Sequence, residues 1–194
     1  MKKPSYLIIS FFVVMALYIA YPAYLINKHE DILNTGEIYR FKPRPIDPYD
    51  AFRGKYIILS YEQNSFPFPN AMETFSHGAK VYLEVNTDVN GFAEITKAHS
   101  SIPNISNYIS TNINFIDSNI IYYNLPFDRY YLNEEYALAA EQAYNDMVRL
   151  QNPADSINVV AYVDVRVKSG SAIIEELYLQ NQPIMEYLRN LEAK

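Results

Sequence analysis

The chain of 194 residues contains no cysteine, and it has few glycines and few histidines. Without cysteine it can form no disulfide bonds, thiolate metal sites or cysteine nucleophiles. Its five glycines leave little material for a loop that cradles phosphates. None of its three histidines is followed by a histidine or carboxylate at the third or fourth position, so the sequence predicts no metal site and no cofactor.

A surplus of positive charge is also missing. The chain has 16 Lys and Arg against 22 Asp and Glu, which gives a formal net charge of −6. Nucleic-acid binding requires a basic face, so the composition predicts no nucleic-acid partner. Hydrophobic residues make up 49% of the chain, enough to build a core and to exclude wholesale disorder.

Aromatic residues are abundant, with 19 Tyr and 10 Phe. Aromatic and β-branched residues favour strands, and alternation of apolar with polar positions predicts strands at residues 37–41, 56–61, 79–85, 92–98, 120–124, 158–167 and 171–179. Asn90-Gly91 and Lys168-Ser169-Gly170 predict hairpin turns. We expect residues 99–119 to form a variable insertion or an extra hairpin.

Helical spacing predicts a helix from Glu134 to about Leu150, capped by Asn133, and a short amphipathic helix at residues 184–191. The predicted fold class is α+β, mainly β. We expect an antiparallel sheet or a small, partly open barrel with one packed helix, preceded by an N-terminal transmembrane helix.

The N-terminal segment is apolar over residues 6–26 and is interrupted only by Ser10 and Pro22. That length matches the ~20 residues that span a hydrocarbon core as a helix. A cleaved signal peptide, cut after Ala20 or Ala23, and a buried core helix are the alternative interpretations. The predicted organisation is an anchor or signal peptide at residues 1–26, a linker at residues 27–35 and an exported β-rich domain at residues 36–194.

Charges that flank this segment predict its orientation. Lys2 and Lys3 precede it, whereas Lys28 on the other side is followed by Glu30 and Asp31. The excess of cations before the segment places the N-terminus in the cytoplasm and the domain outside it. We therefore expect a single-pass protein of the cell inner membrane with an extracytoplasmic C-terminal domain.

One stretch is distinctive: Arg53-Gly54-Lys55-Tyr56-Ile57-Ile58-Leu59-Ser60-Tyr61. It resembles the signature of the GDYXXLXY family, a group of bacterial proteins without an established biochemical activity. Gly54, Tyr56, Leu59 and Tyr61 stand at the motif positions, and Lys55 replaces the aspartate of the family name.

A softer resemblance covers the aromatic segment around Arg129, the acidic residue Glu134 and the helix that follows. The whole resemblance extends over about residues 36–183. Members of the family accompany polytopic membrane proteins, so it implies an integral-membrane partner.

The motif predicts a strand after a turn at Gly54, with Ile57, Leu59 and Tyr61 on the face opposite Tyr56. Its composition indicates a buried strand, which is a structural role. The alternative is a ligand-contacting role for Arg53 and Lys55 with the preceding Asp47 and Asp50. The candidate site residues of the motif are Arg53, Gly54, Lys55, Tyr56, Leu59 and Tyr61. The secondary candidates are Asp47, Asp50, Arg129 and Glu134.

No catalytic residue is assigned. A dyad of Lys55 with Ser60 is excluded, because their odd separation puts them on opposite faces of a strand. Two functions remain open. One is a membrane-anchored binding or accessory subunit of an envelope complex, and the other is a hydrolase of envelope polymers that uses paired carboxylates.

Overall fold

The computed structural model describes residues 4–44, 56–150 and 161–192. The chain begins with a long helix, α1 (Pro4–Thr35), and Ile8–Thr35 is long and apolar enough to cross a membrane. The apolar window of this helix is entirely unburied, so the interpretation as a buried core helix is wrong. Residues 27–35, the predicted linker, continue the helix; their role as a domain boundary stays a prediction.

The rest of the described chain is mainly strand and forms a nearly closed, barrel-like sheet. Its first strands are β1 (Glu37–Phe41), β2 (Pro43–Arg44), β3 (Tyr56–Ile58), β4 (Ser60–Tyr61) and β5 (Ser65–Pro67). After the short helix α2 (Ala71–Thr74) come β6 (Lys80–Thr87), β7 (Ala93–His99), β8 (Tyr108–Asp117), β9 (Ile120–Tyr123) and β10 (Arg129–Tyr131). Then follow α3 (Glu134–Leu150), β11 (Ala161–Lys168), β12 (Ser171–Leu179), β13 (Gln182–Pro183) and α4 (Ile184–Glu192).

The strands are arranged in two larger antiparallel sheets and two short pairs. One sheet has the order β1-β11-β12-β13 and the other β5-β9-β8-β6-β7, while β3 pairs with β10 and β2 with β4. A parallel bridge between Ile109 and Gly170 joins the two larger sheets. The predicted class, mainly β with a partly open barrel and an apolar N-terminal helix, is therefore confirmed.

Strand β8 is more central than the sequence predicts. Residues 99–119 were expected to form a variable insertion or an extra hairpin, and the hairpin of β8 with β9 is present. However, β8 also pairs with β6, so it lies inside the sheet, and Ile109 and Ile113 are fully buried. The many Ser and Asn residues hide this strand, because they occupy positions that alternate with the buried isoleucines.

Helix α3 closes the barrel on the side of the motif. It packs against β2, β3 and β11 and buries Ala137, Ala140, Tyr144 and Val148 at helical spacing. Its first turn begins as expected, with the Asn133 side chain accepting a hydrogen bond from the Glu135 amide at 3.4 Å. The terminal helix α4 packs beside α3 and buries Ile184 and Leu188.

The junction between α1 and the barrel is tightly packed. Ile32 is buried, and a Cβ at Gly36 would come within 2.5 Å of the Ile32 carbonyl oxygen, so only glycine fits this close approach without a shift. The Lys168 ammonium lies 2.6 Å from the Asp31 carboxylate and 2.7 Å from the Thr35 hydroxyl. The Arg166 guanidinium donates to the Gly36 carbonyl at 3.1 Å. Helix α1 thus packs directly against the end of the β11–β12 hairpin.

Candidate functional site

The described part of the motif forms two short strands instead of one. Residues of β3 pair with β10, and residues of β4 pair with β2, so the partner changes at Leu59. The Leu59 amide donates to the Asp128 carbonyl at 2.8 Å. Side chains nevertheless alternate as predicted: Ile57, Leu59 and Tyr61 are buried, and the opposite positions are half-buried.

The buried face of the motif is part of an aromatic cluster. The Tyr61 ring meets Phe41 and Phe127 edge to face, at centroid distances of 5.7 and 5.0 Å. The Tyr61 hydroxyl donates to the Phe127 carbonyl at 2.9 Å. Aromatic pairs in this geometry contribute about 0.5–1.5 kcal/mol beyond their burial. Leu59 and Tyr61 therefore hold the core together, as the structural interpretation of the motif predicts.

A second tyrosine on α3 reaches the same interior. Tyr144 is fully buried, and among the described residues its hydroxyl has no hydrogen-bond partner. Burial raises the pKa of Tyr144. Burial, and repulsion from a Tyr144 phenolate and from the Asp128 carboxylate nearby, raise the pKa of Tyr61 well above its usual value. Both phenols are neutral at physiological pH, so neither is a base that could activate a nucleophile.

Ile58 and Ser60, on the half-buried face of the motif, line a cleft of about 600 Å³ together with Leu59 and Tyr61, and we call it the motif cleft. It lies between residues 58–64 on one side and residues 124–128 on the other. Amide, hydroxyl and charged side chains contribute to its wall alongside apolar ones. The residues of the wall are Arg44, Ile58, Leu59, Ser60, Tyr61, Gln63, Asn64, Asn124, Leu125 and Asp128.

Polar groups in the motif cleft are partly engaged with one another and with the barrel. The Arg44 guanidinium donates to the Ser60 hydroxyl at 2.7 Å, which holds the cation over the motif strand. Gln63 bridges to β7, donating to the Ala93 carbonyl at 2.7 Å and accepting from the Ile95 amide at 3.0 Å. The amide of Asn124 and the carboxylate of Asp128 are exposed. The cleft thus offers donors and acceptors for a polar ligand.

Two predicted site residues meet on the outer surface of the barrel. The Arg129 guanidinium carbon lies 5.3 Å from the centroid of the Tyr56 ring, and Tyr131 packs against the same ring at 5.5 Å. A hydrogen bond with Tyr131 and the charge of Asp128 raise the pKa of Arg129. Tyr56 and Arg129 are therefore neighbours, next to the motif cleft but not in its wall.

The remaining predicted residues are not brought into this site by the described structure. Glu134 is exposed in the first turn of α3, where its charge favours the helix terminus. Arg53, Gly54, Lys55, Asp47 and Asp50 lie outside the described residues.

Sequence reasoning missed Arg44 and Asn124, which line the motif cleft. Neither belongs to a motif, and the two come together only because β4 pairs with β2 while residues 124–128 cross over from β9. A signal for Asp128 was available, since it adjoins Arg129 in the aromatic segment that carried the softer resemblance. Within residues 4–44, 56–150 and 161–192, no group of three histidines or carboxylates could hold a metal ion.

Comparison with known proteins identifies a family but no closer relative. A family model described as GDYXXLXY protein matches residues 18–177, from the middle of α1 to β12. This match agrees with the family that the motif resembles. No curated protein and no solved structure matches the chain.

Proposed function

The chain belongs to the GDYXXLXY family, and we propose that it is a membrane-anchored accessory subunit that binds an integral-membrane partner through the motif cleft. The observation that carries the proposal is the difference in burial between the two faces of the motif strand. One face is buried in the aromatic core, and Ile58 and Ser60 of the other face line an open cleft. The family motif then builds a binding surface instead of a catalytic centre.

The anchor and its orientation are supported by α1 and by the flanking charges. Lys2 and Lys3 precede the apolar segment, and the acidic Glu30 and Asp31 follow it. By the positive-inside rule this arrangement keeps the N-terminus in the cytoplasm and the barrel outside it. In a bacterial envelope the chain is then a single-pass protein of the inner membrane with a periplasmic domain.

The cleft suits an extended polypeptide segment of the partner. Its volume of about 600 Å³ falls within the range of ligand sites, and its amide and hydroxyl groups are able to hydrogen-bond a peptide backbone. Anchorage in the same membrane raises the effective concentration of such a partner, so a cleft of modest affinity is sufficient.

Hydrolysis of an envelope polymer is less well supported by this geometry. Such a mechanism uses two carboxylates that flank the scissile bond. Among the described residues that line the motif cleft, Asp128 is the single carboxylate. We therefore assign the cleft to binding.

A cysteine placed in the cleft tests both the orientation and the partner. Because the chain has no cysteine, an Asn124→Cys variant carries one reactive thiol in an otherwise unreactive background. In spheroplasts we expect a membrane-impermeant maleimide to label it, and a benzophenone maleimide to crosslink it to a polytopic membrane protein on illumination.

The matched control is Val89→Cys, which places an equally reactive thiol on a fully exposed turn away from the cleft. We expect labelling of this variant without a crosslinked product. Failure of the impermeant reagent to reach either thiol would contradict the orientation. Labelling of Asn124→Cys without a specific adduct would contradict the partner.

A further inference from the structure

We infer that the loop of residues 100–107, with Ile102 and Ile105 exposed, inserts into the interfacial layer of the same bilayer that holds α1. The inference rests on the proposed anchor, and it assigns the barrel a second contact with the membrane. The inference follows from the contact between α1 and the β11–β12 hairpin, which sets the height of the neighbouring loops above the bilayer.

The height of the hairpin turn above the bilayer follows from the helix. If the hydrocarbon core ends at Ile26, where the apolar run ends, Asp31 lies about 7–8 Å beyond it, at a rise of about 1.5 Å per residue. The headgroup layer on each side of a bilayer is about 5–8 Å thick. The contact of Lys168 with Asp31, at 2.6 Å, therefore holds the end of the β11–β12 hairpin at the level of the headgroups.

The 100–107 loop is joined to this hairpin end. The Ser169 amide donates to the Ser106 carbonyl at 2.8 Å, and the Gly170 amide donates to the Tyr108 carbonyl at 2.9 Å. Ile102, Ser169 and Gly170 line one shallow depression on the surface. The loop is thus fixed beside the hairpin end and has the same height above the bilayer.

The chemistry of the loop fits an interfacial environment. Ile102 is 68% exposed and Ile105 is 38% exposed, although both are large apolar side chains. Residues 100–116 include no Asp, Glu, Lys, Arg or His, so insertion would bury no charge. Burying an isoleucine away from water is favourable, whereas burying an unpaired charge is costly.

The opposite end of the barrel provides a contrast within the same molecule. There the Lys42 ammonium lies 4.5 Å from the centroid of the Phe92 ring, next to the turn that carries Val89. Lys42 is five residues along the chain from Glu37, the first residue of β1, which corresponds to about 16 Å of extended strand. The turn at Val89 is therefore well outside the headgroup layer, although Val89 is also apolar and exposed.

Depth-dependent quenching in liposomes tests this inference on the full chain. Single-cysteine variants Ile102→Cys, Ile105→Cys, Val89→Cys and Tyr18→Cys are labelled with bimane and reconstituted. Lipids with a nitroxide at a shallow or a deep acyl position serve as quenchers. We expect a loss of fluorescence with shallow nitroxides at positions 102 and 105, with deep nitroxides at position 18, and no loss at position 89.

The variant at Tyr18, which lies on the exposed surface of α1, separates the two proposals. Quenching at position 18 without quenching at positions 102 and 105 would overturn the loop contact and leave the anchor intact. No quenching at position 18 would overturn both. Quenching at position 89 equal to that at position 102 would show that the barrel has no preferred end, and would also overturn the inference.

Discussion

Two hairpins of the barrel, β6–β7 and β11–β12, end in turns with similar local chemistry but different surroundings. Gly91 in the β6–β7 turn has a φ of 83°, and Gly170 in the β11–β12 turn has a φ of 88°. Beyond the chain neighbours of Gly91, no atom of residues 4–44, 56–150 or 161–192 lies within 4 Å of a Cβ built there, whereas a Cβ at Gly170 would come within 2.8 Å of the Tyr108 ring. One turn is free in solvent, and the other is a junction between α1, β8 and the hairpin.

The strands that lead into these turns, β6 and β11, also differ in how far their two faces are buried. In β6, buried apolar side chains alternate with the half-exposed side chains of Tyr82, Glu84 and Asn86. In β11, residues 161–165 are all buried, including Asp164, which pairs with Arg40 at 3.1 Å. A strand with neighbours on both edges and cover on both faces loses the alternation that a solvated face imposes. The comparison shows that β11 is covered on both faces over residues 161–165, whereas β6 keeps one half-exposed face.

The largest expected change in the free energy of unfolding comes from replacing the glycine of each turn by alanine. Gly170→Ala and Gly91→Ala share the cost of a positive φ, about 1–2 kcal/mol. Gly170→Ala also forces the Tyr108 ring aside, which we expect to cost a further ~1–3 kcal/mol. Urea unfolding of the full chain in detergent measures both variants.

The difference between the two alanine variants isolates the packing at the junction, because the backbone strain is matched. Equal losses of stability would show that the Tyr108 contact does not constrain the turn. The comparison between the two ends of the barrel would then be wrong.

A smaller change in stability, this time an increase, is expected from a substitution in the core between the two ends of the barrel. Tyr144→Phe removes the buried hydroxyl, which has no partner in the described part of the chain, and we expect it to stabilise the chain by about 1 kcal/mol. Urea unfolding at about pH 8, where phenols are protonated, measures this change. A loss of stability would instead show that the hydroxyl has a partner in solution.

For the same variant we also expect a different pH dependence of stability above about pH 10. Burial raises the pKa of Tyr144 in the folded state, so the folded state holds this proton more tightly than the unfolded state does. The stabilisation is complete below the unfolded pKa of about 10 and is lost as the pH rises above it. Stability should therefore fall less steeply above about pH 10 in Tyr144→Phe than in the natural chain. Parallel curves would contradict the raised pKa.

The smallest effect is expected from two surface cations. Lys168→Met removes the ion pair with Asp31 at the α1 junction, and Lys42→Met removes the cation above Phe92 at the far end. Methionine keeps much of the apolar stem, so each change reports mainly the charge. We expect a slightly lower thermal midpoint for each variant in dilute buffer. Only the Lys168→Met difference should shrink in high salt, because ions screen an ion pair. A salt-independent difference there would show that the ion pair does not stabilise the junction.

Most of the local structure is predictable from the sequence, because turns and helix ends have characteristic residues. Asn90-Gly91 and Ser169-Gly170 mark turns because they adopt a positive φ readily. The helix that begins at Glu134 has a cap and a periodic apolar face. By contrast, the sequence does not predict the central position of β8 in the sheet, because its polar residues obscure the alternation. The predicted end of α1 is also too early, because the prediction ends the helix at the first charged residues after the apolar run.

The motif cleft was beyond sequence reasoning. Tyr61 could be placed on a buried face from its spacing, yet nothing in the sequence pairs Arg44 with Ser60 or brings Asn124 opposite Ile58. These are contacts between segments that are distant in the chain, and local preferences do not encode them. The same holds for the proximity of Ser106 to Ser169.

The sequence by itself determined the family, the apolar segment, the strand-rich class and the exclusion of thiol chemistry, because these depend on composition and on short-range periodicity. Only the tertiary structure decided that α1 joins the barrel without a break, that the motif strand has one buried face and one face in a cleft, and that the two hairpin turns have different surroundings. The physical reason is that burial and close contact are properties of packed surfaces. They arise only when strands from across the chain are brought together.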